Sequence, residues 1–317
     1  MKSIQIEKEL SVLRKCNICP RNCGANRFDG PYGYCNSGSD FNISAIIVHE
    51  GEEPVISGKN GICNIFFSHC NLQCNYCQNY QISNNKCSNS GNKSDLNVII
   101  NKIVCILDTG IENVGFVSPS HMVPQVKVII KSLNHEGYHP TIVYNSNAYD
   151  KVETLRSLEN LVDVYLPDLK YDDQKISEEW SDSKNYPVIA RKAIKEMYRQ
   201  KGNILQINKT GKAEKGLIIR HLVLPGAVQN SKNVLRFISN ELSNRIAVSV
   251  MSQYNPNSNV SAVPILNRKI FKKEYSEVIN ELNKLGFTKG WIQQLNSSDY
   301  FNPDFNSETP FNKPAGG

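Results

Sequence analysis

The chain has 317 residues, of which 40% are hydrophobic and 21% charged, proportions typical of a globular protein with one or two cores. Its formal net charge is +6, but the basic residues are dispersed along the sequence, so nucleic-acid binding is not favoured. The sequence has no 18-residue apolar stretch and no apolar segment near its start, so we expect a cytoplasmic protein without membrane association. Disulfides are rare in that compartment, and the 10 cysteines therefore require another explanation.

Residues 1–56 are predicted to form a cysteine-rich N-terminal module. Four cysteines follow the spacing C-x2-C-x3-C-x11-C among glycines, prolines and asparagines: Cys16, Cys19, Cys23 and Cys35. Four thiolates could close a zinc site or hold a second iron–sulfur cluster that relays electrons, and they could also remain reduced thiols without a metal. The residues alone do not choose among these three interpretations.

The module ends in the acidic stretch HEGEEPVISG. If this stretch caps the mouth of the following domain, then His49, Glu52 or Glu53 could contact a substrate. Charged loop residues also commonly bind backbone groups or water, and the sequence leaves both interpretations open.

Residues 57–295 alternate between short apolar runs and segments with helical periodicity. The runs are predicted as buried strands at 62–67, 113–118, 141–146, 162–167, 216–225 and 246–251. Strands that alternate with helices indicate a parallel sheet with right-handed crossovers, and here they predict an α/β fold, a partial (β/α)6 TIM-type barrel. The functional site is then expected at the carboxyl ends of the strands. A small hairpin is predicted before the fifth strand, and residues 296–317 are predicted to form an irregular C-terminal tail.

The stretch FFSHCNLQCNYCQN spans the end of the first strand of this region and the loop after it. Its three cysteines, Cys70, Cys74 and Cys77, have the spacing C-x3-C-x2-C. A structural zinc site normally closes around four ligands, and ferredoxin-type clusters use four thiolates in other spacings. Three thiolates on one loop suit a four-iron cluster in which one iron stays open to bind a ligand. The alternatives are zinc with His69 or Cys63 as the fourth ligand, and cysteines that only pack in the core.

This loop resembles the cluster-binding motif of the radical S-adenosylmethionine (SAM) superfamily, which has an aromatic residue before its last cysteine, here Tyr76. The resemblance implies a 4Fe-4S cluster and SAM as cofactors, with Cys70, Cys74 and Cys77 as the iron ligands. In that superfamily the open iron binds the methionine moiety, and an electron cleaves SAM to a 5′-deoxyadenosyl radical that abstracts hydrogen from a substrate. The loop is similar to that of pyruvate formate-lyase activating enzymes, including Asn79 two residues after the last cysteine. On this resemblance, Tyr76 and Asn79 are expected to contact the cofactors.

Other positions carry the same resemblance. Asp168 and Lys170 of the stretch DLK are similar to a strand-end pair of the activating enzymes, in which the acid helps to hold a monovalent cation and the lysine contacts the SAM carboxylate. Arg220 in IRHLVLPG matches an arginine that contacts the cofactor, a role that suits the planar donors of a guanidinium. The sequence departs from the superfamily at VSPSH, where Gly-Gly-Glu is usual, and there Ser118 and Ser120 offer oxygen acceptors for the SAM ammonium group.

The resemblance therefore predicts a radical SAM oxidoreductase similar to pyruvate formate-lyase activating enzymes. The expected reaction is hydrogen abstraction, from a glycine of a partner enzyme or, as the alternative, from a small molecule or peptide. A reduced flavodoxin or ferredoxin is the expected electron donor, and a glycyl-radical protein is the candidate partner. A hypothesis from another class is a zinc-bearing binding protein without catalysis. No residue of the chain is assigned as a catalytic acid, base or nucleophile.

Overall fold

The computed structural model of the chain describes residues 3–30, 32–86, 95–299, 303–307 and 309–311. Within them the strands are β1 (Ile43–His49), β2 (Ile62–Phe67), β3 (Asn113–Val117), β4 (Thr141–Asn145), β5 (Val164–Tyr165), β6 (Gln206–Ile207), β7 (Ala213–Leu222), β8 (Ala247–Met251) and β9 (Gly290–Ile292). The helices are α1 (Ser3–Leu10), α2 (Pro54–Ser57), α3 (Tyr80–Ser83), α4 (Leu96–Leu107), α5 (Val123–His135), α6 (Val152–Arg156), α7 (Gln174–Ser181), α8 (Tyr186–Lys201), α9 (Val228–Glu241) and α10 (Lys272–Lys284). None of these described helices combines the length and apolarity that a bilayer crossing requires.

The strands form a sheet in the order β1-β2-β3-β4-β5-β7-β8-β9, and β6 pairs with β7 beside this path. Neighbouring strands from β2 to β9 along the path are parallel, whereas β1 runs antiparallel to β2. Each parallel connection carries at least one helix, as a β/α barrel requires. Because β1 and β9 lie at opposite ends of the order, the barrel is partial, which confirms the predicted fold class.

Two strands of the sheet were not predicted. The seventh parallel strand, β9, has only three residues and is largely exposed, so it leaves no apolar run in the sequence. The antiparallel strand β1 lies within residues 1–56, where the surrounding glycines and asparagines obscured its apolar residues. It pairs with β2 across the proposed boundary at residue 56, and that boundary remains a prediction. The hairpin predicted before the fifth strand is formed by β6 and the start of β7.

The central strands are covered on both faces. All residues of β2, β3 and β8 are buried, as expected for parallel strands packed between helices. Ile99 and Ile103 of α4, together with Val126 and Ile129 of α5, belong to the same apolar core as these strands. Since the strand interiors are apolar, polar side chains can gather at the strand ends and in the loops that follow them.

Gly290 at the start of β9 provides a test of this edge of the barrel. Its φ is 122°, and a Cβ atom there would lie 1.9 Å from the carbonyl oxygen of Val248 in β8. We expect Gly290→Ala to displace β9 and to lower the free energy of unfolding by about 1–3 kcal/mol, the range for overpacked sites. Gly110→Ala is the matched control, because Gly110 also has a positive φ, 93°, but no atom lies within 4 Å of its added Cβ.

Urea denaturation followed by tryptophan fluorescence measures both variants. Equal losses of stability in the two would contradict the steric explanation, because only the backbone strain is common to them.

Candidate functional site

The cysteine loop leaves the carboxyl end of β2 in a sharp turn. His69 adopts a left-handed conformation, with φ of 66°. The Cys70 amide then donates to Asn85 Oδ1 at 3.0 Å, and Asn85 Nδ2 donates back to the Cys70 carbonyl at 2.9 Å. Farther along, the Cys77 amide donates to the Cys74 carbonyl at 3.1 Å. The turn and this side-chain clamp present three cysteines from one short loop, with Cys70 buried and Cys74 and Cys77 half-buried.

The three sulfurs are each within hydrogen-bonding reach of a polar side chain. Asn147 Nδ2 donates to Cys70 Sγ at 3.5 Å, Ser181 Oγ to Cys74 Sγ at 2.9 Å, and Ser83 Oγ to Cys77 Sγ at 3.3 Å. None of these three donors was identified from the sequence, because they come from a different loop, from the end of α7 and from the end of α3.

The chemistry of this donor set fits an iron–sulfur cluster. Burial raises the pKa of Cys70 to about 12 and that of Cys74 to about 11, so both thiols would keep their protons without a compensating cation. Iron supplies that positive charge and binds thiolates, and hydrogen-bond donors around the sulfurs then stabilise the negative charge that remains. The loop therefore places three cysteine sulfurs, which could bind iron as thiolates, beside side chains that donate hydrogen bonds to them.

A charged network lies at the carboxyl ends of the next strands. Asp168 accepts from Lys170 Nζ at 2.9 Å and from Arg220 Nε at 2.7 Å. Burial alone would raise the pKa of Asp168, but the two cations outweigh it and hold this pKa at about 2. Burial would likewise lower the pKa of Lys170, yet the Asp168 carboxylate and the Cys74 thiol group raise it. The structure thus brings together the three charged residues that the resemblance singled out.

Arg220 is also bound on its other side. It donates to Glu52 Oε2 at 2.8 Å and to Asn145 Oδ1 at 2.7 Å. Of the five donors on its guanidinium, three are therefore used by protein oxygens in this arrangement. The role of Glu52 as the partner of Arg220 was missed, because the two residues are separated by 168 positions and no local pattern joins them.

The remaining predicted residues differ in their surroundings. Asn79 faces a cavity together with Arg220. Tyr76 is buried, and its hydroxyl lies 2.6 Å from the hydroxyl of Tyr171. Ser118 has a left-handed φ of 49°, and its amide donates to the Asn145 carbonyl at 2.8 Å. Ser120 is fully buried, and its hydroxyl lies 3.4 Å from Asn147 Oδ1.

The cavity beside this network has a volume of about 370 Å³. Its walls combine the acidic stretch, the strand ends and the C-terminal tail: His49, Glu52, Glu53, Asn79, Asn145, Arg220, Ser249, Gln253, Trp291, Gln293 and Phe311 are among its lining residues. Within the described part of the chain, Glu53 Oε2 is buried without a hydrogen-bond partner. Burial raises the pKa of Glu53 and lowers that of His49, so both groups favour their neutral forms in this cavity.

The N-terminal module packs directly against the cysteine loop. Arg21 Nε donates to the Asn71 carbonyl at 2.9 Å, and the Arg21 guanidinium lies 3.6 Å from the centre of the Tyr34 ring. The Tyr34 carbonyl accepts from Asn85, the residue that clamps Cys70. Movement of the module would therefore disturb the loop itself.

The four cysteines of the module lie together but differ in exposure. Cys16, Cys19 and Cys35 are buried and Cys23 is exposed, and burial raises the pKa of Cys19 to about 12. Among the residues that the structure describes, no three His, Cys, Asp or Glu side chains are placed to share a single metal ion. The zinc, second-cluster and metal-free interpretations of this group remain predictions.

Comparisons with known proteins agree with this site. A family described as a 4Fe-4S single cluster domain matches residues 56–189. An uncharacterized protein of Methanocaldococcus jannaschii is 30% identical over 290 residues, which cover 89% of this chain and 78% of the relative. Among solved structures, the [FeFe]-hydrogenase maturase HydG matches 71% of this chain with 14% identity and a TM-score of 0.50. SuiB of Streptococcus suis, solved with bound SAM, matches 71% with 13% identity and a TM-score of 0.47.

The chain spans about half the length of HydG and of SuiB. The likeness to HydG shows the barrel fold, and the 4Fe-4S domain match covers the segment that holds the three-cysteine loop. Both agree with the resemblance to the radical SAM superfamily, whose members use a 4Fe-4S cluster and SAM. The chain itself belongs to the same family as the protein of Methanocaldococcus jannaschii.

The network around Arg220 leads to a prediction about stability. Replacing Arg220 by methionine leaves Asp168 and Glu52 without their shared cation. We expect Arg220→Met to lower the free energy of unfolding by roughly 2–4 kcal/mol, below the largest values for buried pairs because the site is partly solvated. Urea denaturation measures this loss. Adding Glu52→Gln is expected to restore part of it, because it removes the carboxylate that lost its ion pair, whereas Asp168 keeps its ion pair with Lys170.

The control for this prediction is Arg236→Met. Arg236 forms an exposed ion pair with Glu281, and such pairs contribute about 0–1 kcal/mol. If Arg220→Met were no more destabilising than this control, Arg220 would not hold the network together.

Proposed function

We propose that this protein reductively cleaves SAM and uses the resulting radical to abstract a hydrogen atom from a substrate. The observation that carries the proposal is the three-cysteine loop at the carboxyl end of β2, with Lys170 and Asp168 close to its sulfurs. The bound cluster and SAM together supply a 5′-deoxyadenosyl radical. Everything else in the reaction depends on how the residues of this chain bind and orient the reacting groups.

In this proposal Cys70, Cys74 and Cys77 are the iron ligands. Lys170 interacts electrostatically with Cys70 and Cys74 and is the cation proposed to neutralise a cofactor carboxylate. The Asp168 carboxylate fixes it in place through a 2.9 Å ion pair. Arg220, which uses three donors on protein oxygens, keeps two donors for a cofactor carboxylate or ribose oxygen.

The methionine ammonium group requires acceptors. Ser118 is proposed for this role because its left-handed turn directly follows β3, at the carboxyl edge of the sheet. Ser120 is fully buried, and in the proposal it supports Asn147, the side chain that donates to Cys70. Tyr76 of the cysteine loop is buried in the core, and Asn79 lines the cavity.

The cavity of about 370 Å³ is proposed to hold the adenosyl group and the part of the substrate that carries the hydrogen atom to be abstracted. Phe311 of the C-terminal tail lies 4.2 Å from His49, ring centre to ring centre, and helps to close the cavity from water. Glu53 carries an unpaired carboxyl oxygen in this cavity and is the proposed substrate contact, whereas Glu52 is bound to Arg220. Exclusion of water protects a radical from side reactions.

We propose a glycine of a partner protein as the substrate, in the manner of the activating enzymes. The alternative is radical modification of a small molecule or peptide by the same machinery. The electron donor is proposed to be a reduced flavodoxin or ferredoxin. Cys74 also lines a second cavity of about 720 Å³ with Gln73, Tyr80 and Lys86, and this separate access to the loop supports electron entry from another side.

Replacement of one loop cysteine tests the core of the proposal. We expect Cys74→Ala to reduce 5′-deoxyadenosine formation by more than about 100-fold, because two thiolates cannot hold the cluster in its working position. The measurement is the amount of 5′-deoxyadenosine released after anaerobic reconstitution with iron and sulfide, followed by dithionite and SAM.

Cys105→Ala is the matched control, because Cys105 is an exposed thiol of α4 away from the loop. Retained product in Cys74→Ala would show that the loop assignment is wrong.

Metal analysis of the same samples tests the alternative of a zinc-bearing protein: zinc without iron in the reconstituted wild type would favour a non-catalytic binding protein. About four irons per chain is expected from the loop alone, and about eight if the module holds a second cluster.

The choice of substrate has its own test. If a partner glycine is the substrate, the reduced enzyme and SAM should generate a glycyl radical on a candidate glycyl-radical protein encoded in the same genome. Electron paramagnetic resonance detects this radical as a doublet. SAM cleavage that proceeds normally with no protein radical, together with deuterium transfer from a labelled small molecule or peptide, would instead support the alternative.

A further inference from the structure

A chain of three buried hydroxyl groups ends at one of the cluster-loop sulfurs. The Tyr76 hydroxyl lies 2.6 Å from that of Tyr171, and the Tyr171 hydroxyl lies 2.5 Å from Ser181 Oγ. Ser181 Oγ in turn donates to Cys74 Sγ at 2.9 Å. The chain joins two residues of the cysteine loop, Tyr76 and Cys74, through residues of a distant segment.

When Cys74 is a thiolate, the three hydroxyl groups can donate their protons in only one direction. A thiolate has no proton to give, so the single proton of Ser181 must point to it. Ser181 is then an acceptor from Tyr171, whose own proton is used in that bond. Tyr171 is in turn an acceptor from Tyr76. All three O–H dipoles therefore point toward the sulfur, and hydrogen bonds aligned in this way strengthen one another.

The three residues of the hydroxyl chain are shielded from solvent and keep their protons. Tyr76, Tyr171 and Ser181 are 4%, 1% and 0% exposed, respectively. The ordinary pKa of a tyrosine hydroxyl is about 10, so both tyrosines remain donors at physiological pH. In a medium of low polarity the interaction of aligned dipoles with a negative charge is stronger than in water.

The other two cysteine sulfurs have longer hydrogen bonds. Cys77 Sγ accepts from Ser83 Oγ at 3.3 Å, and Cys70 Sγ accepts from Asn147 Nδ2 at 3.5 Å and from the Leu72 amide at 3.4 Å. The bond from Ser181 to Cys74 is shorter, at 2.9 Å, and it is reinforced by two more hydroxyls. Among these sulfur contacts, the one at Cys74 is therefore expected to have the largest effect on the cluster.

We propose that the Tyr76–Tyr171–Ser181 hydroxyl chain raises the reduction potential of the cluster by stabilising the added negative charge at Cys74. The proposal rests on the proposed function, since it takes Cys74 to be an iron ligand. Hydrogen bonds to cluster sulfurs favour the reduced state, because that state carries one more electron on the same atoms. Ser181 and the two tyrosines act through Cys74 and are positioning residues.

A redox titration of the reconstituted protein tests this proposal. The fraction of reduced cluster is followed by electron paramagnetic resonance, with dithionite and redox mediators and without SAM. We expect Ser181→Ala to shift the equilibrium between the oxidised and reduced cluster about three- to tenfold toward the oxidised form, a tenfold change being about 59 mV for one electron. Tyr171→Phe, which leaves the Ser181 bond but removes its reinforcement, should shift it less and in the same direction.

Two variants serve as matched controls. Ser183 is buried two residues after Ser181, and its hydroxyl has no partner among the described residues, so Ser183→Ala should change the equilibrium less than about twofold. Tyr165 is a buried tyrosine whose hydroxyl donates to Gln200 instead, so Tyr165→Phe is the control for Tyr171→Phe. Ser181→Thr keeps the hydroxyl and should restore the wild-type potential.

The outcomes separate this proposal from the proposed function. A cluster of unchanged potential in both Ser181→Ala and Tyr171→Phe, or a shift toward the reduced form, would overturn the role of the hydroxyl chain. If Ser181→Ala does not assemble a cluster, the reduction potential of the milder variant Tyr171→Phe decides whether the hydroxyl chain acts on the cluster. A wild type that shows the expected shifts but releases no 5′-deoxyadenosine would refute the proposed function alone. A wild type that binds no cluster would refute both.

Discussion

Buried thiols on one short loop impose the constraint around which this protein is arranged. A thiol in an apolar pocket keeps its proton, and it becomes a ligand only when a metal and nearby donors replace the lost solvation. The loop after β2 has the donors, because each of its three sulfurs accepts a hydrogen bond from a polar side chain outside the cysteine motif. The neighbouring residues hold that loop and place charged side chains beside it.

Charge balance beside the loop is achieved within the chain. Lys170 and Arg220 share Asp168, and Glu52 from the acidic stretch completes the group with two cations and two carboxylates. Glu53, the next residue, is outside this balance and keeps an unpaired oxygen in the cavity. These two adjacent acids thus have different surroundings. Glu52 forms an ion pair with Arg220, whereas burial outweighs the more distant attraction of Arg220 for Glu53 and favours its neutral form.

The N-terminal module and the barrel meet at the cysteine loop. The Asn85 side chain bonds both to the backbone of Cys70 and to the Tyr34 carbonyl of the module, and Arg21 of the module donates to the Asn71 carbonyl of the loop. The hydroxyl chain from Tyr76 to Ser181 connects the same loop to the end of α7. The loop is therefore supported on two sides by residues that contribute no ligand of their own, as is common for metal sites whose outer groups tune the metal.

The amino-acid sequence was enough to predict the alternation of strands and helices and the three-cysteine loop, and its resemblance to a known family singled out Asp168, Lys170 and Arg220. These features are local, because apolar runs and ligand spacing are read within a few residues of one another. The folded chain was needed to show that Glu52 is the partner of Arg220, that β1 and β9 are the edge strands of the sheet, and that Tyr171 and Ser181 form a hydrogen-bonded path to Cys74. Those contacts join residues far apart in the chain, and their distances depend on how the strands pair and how the helices pack, which no local pattern of residues specifies.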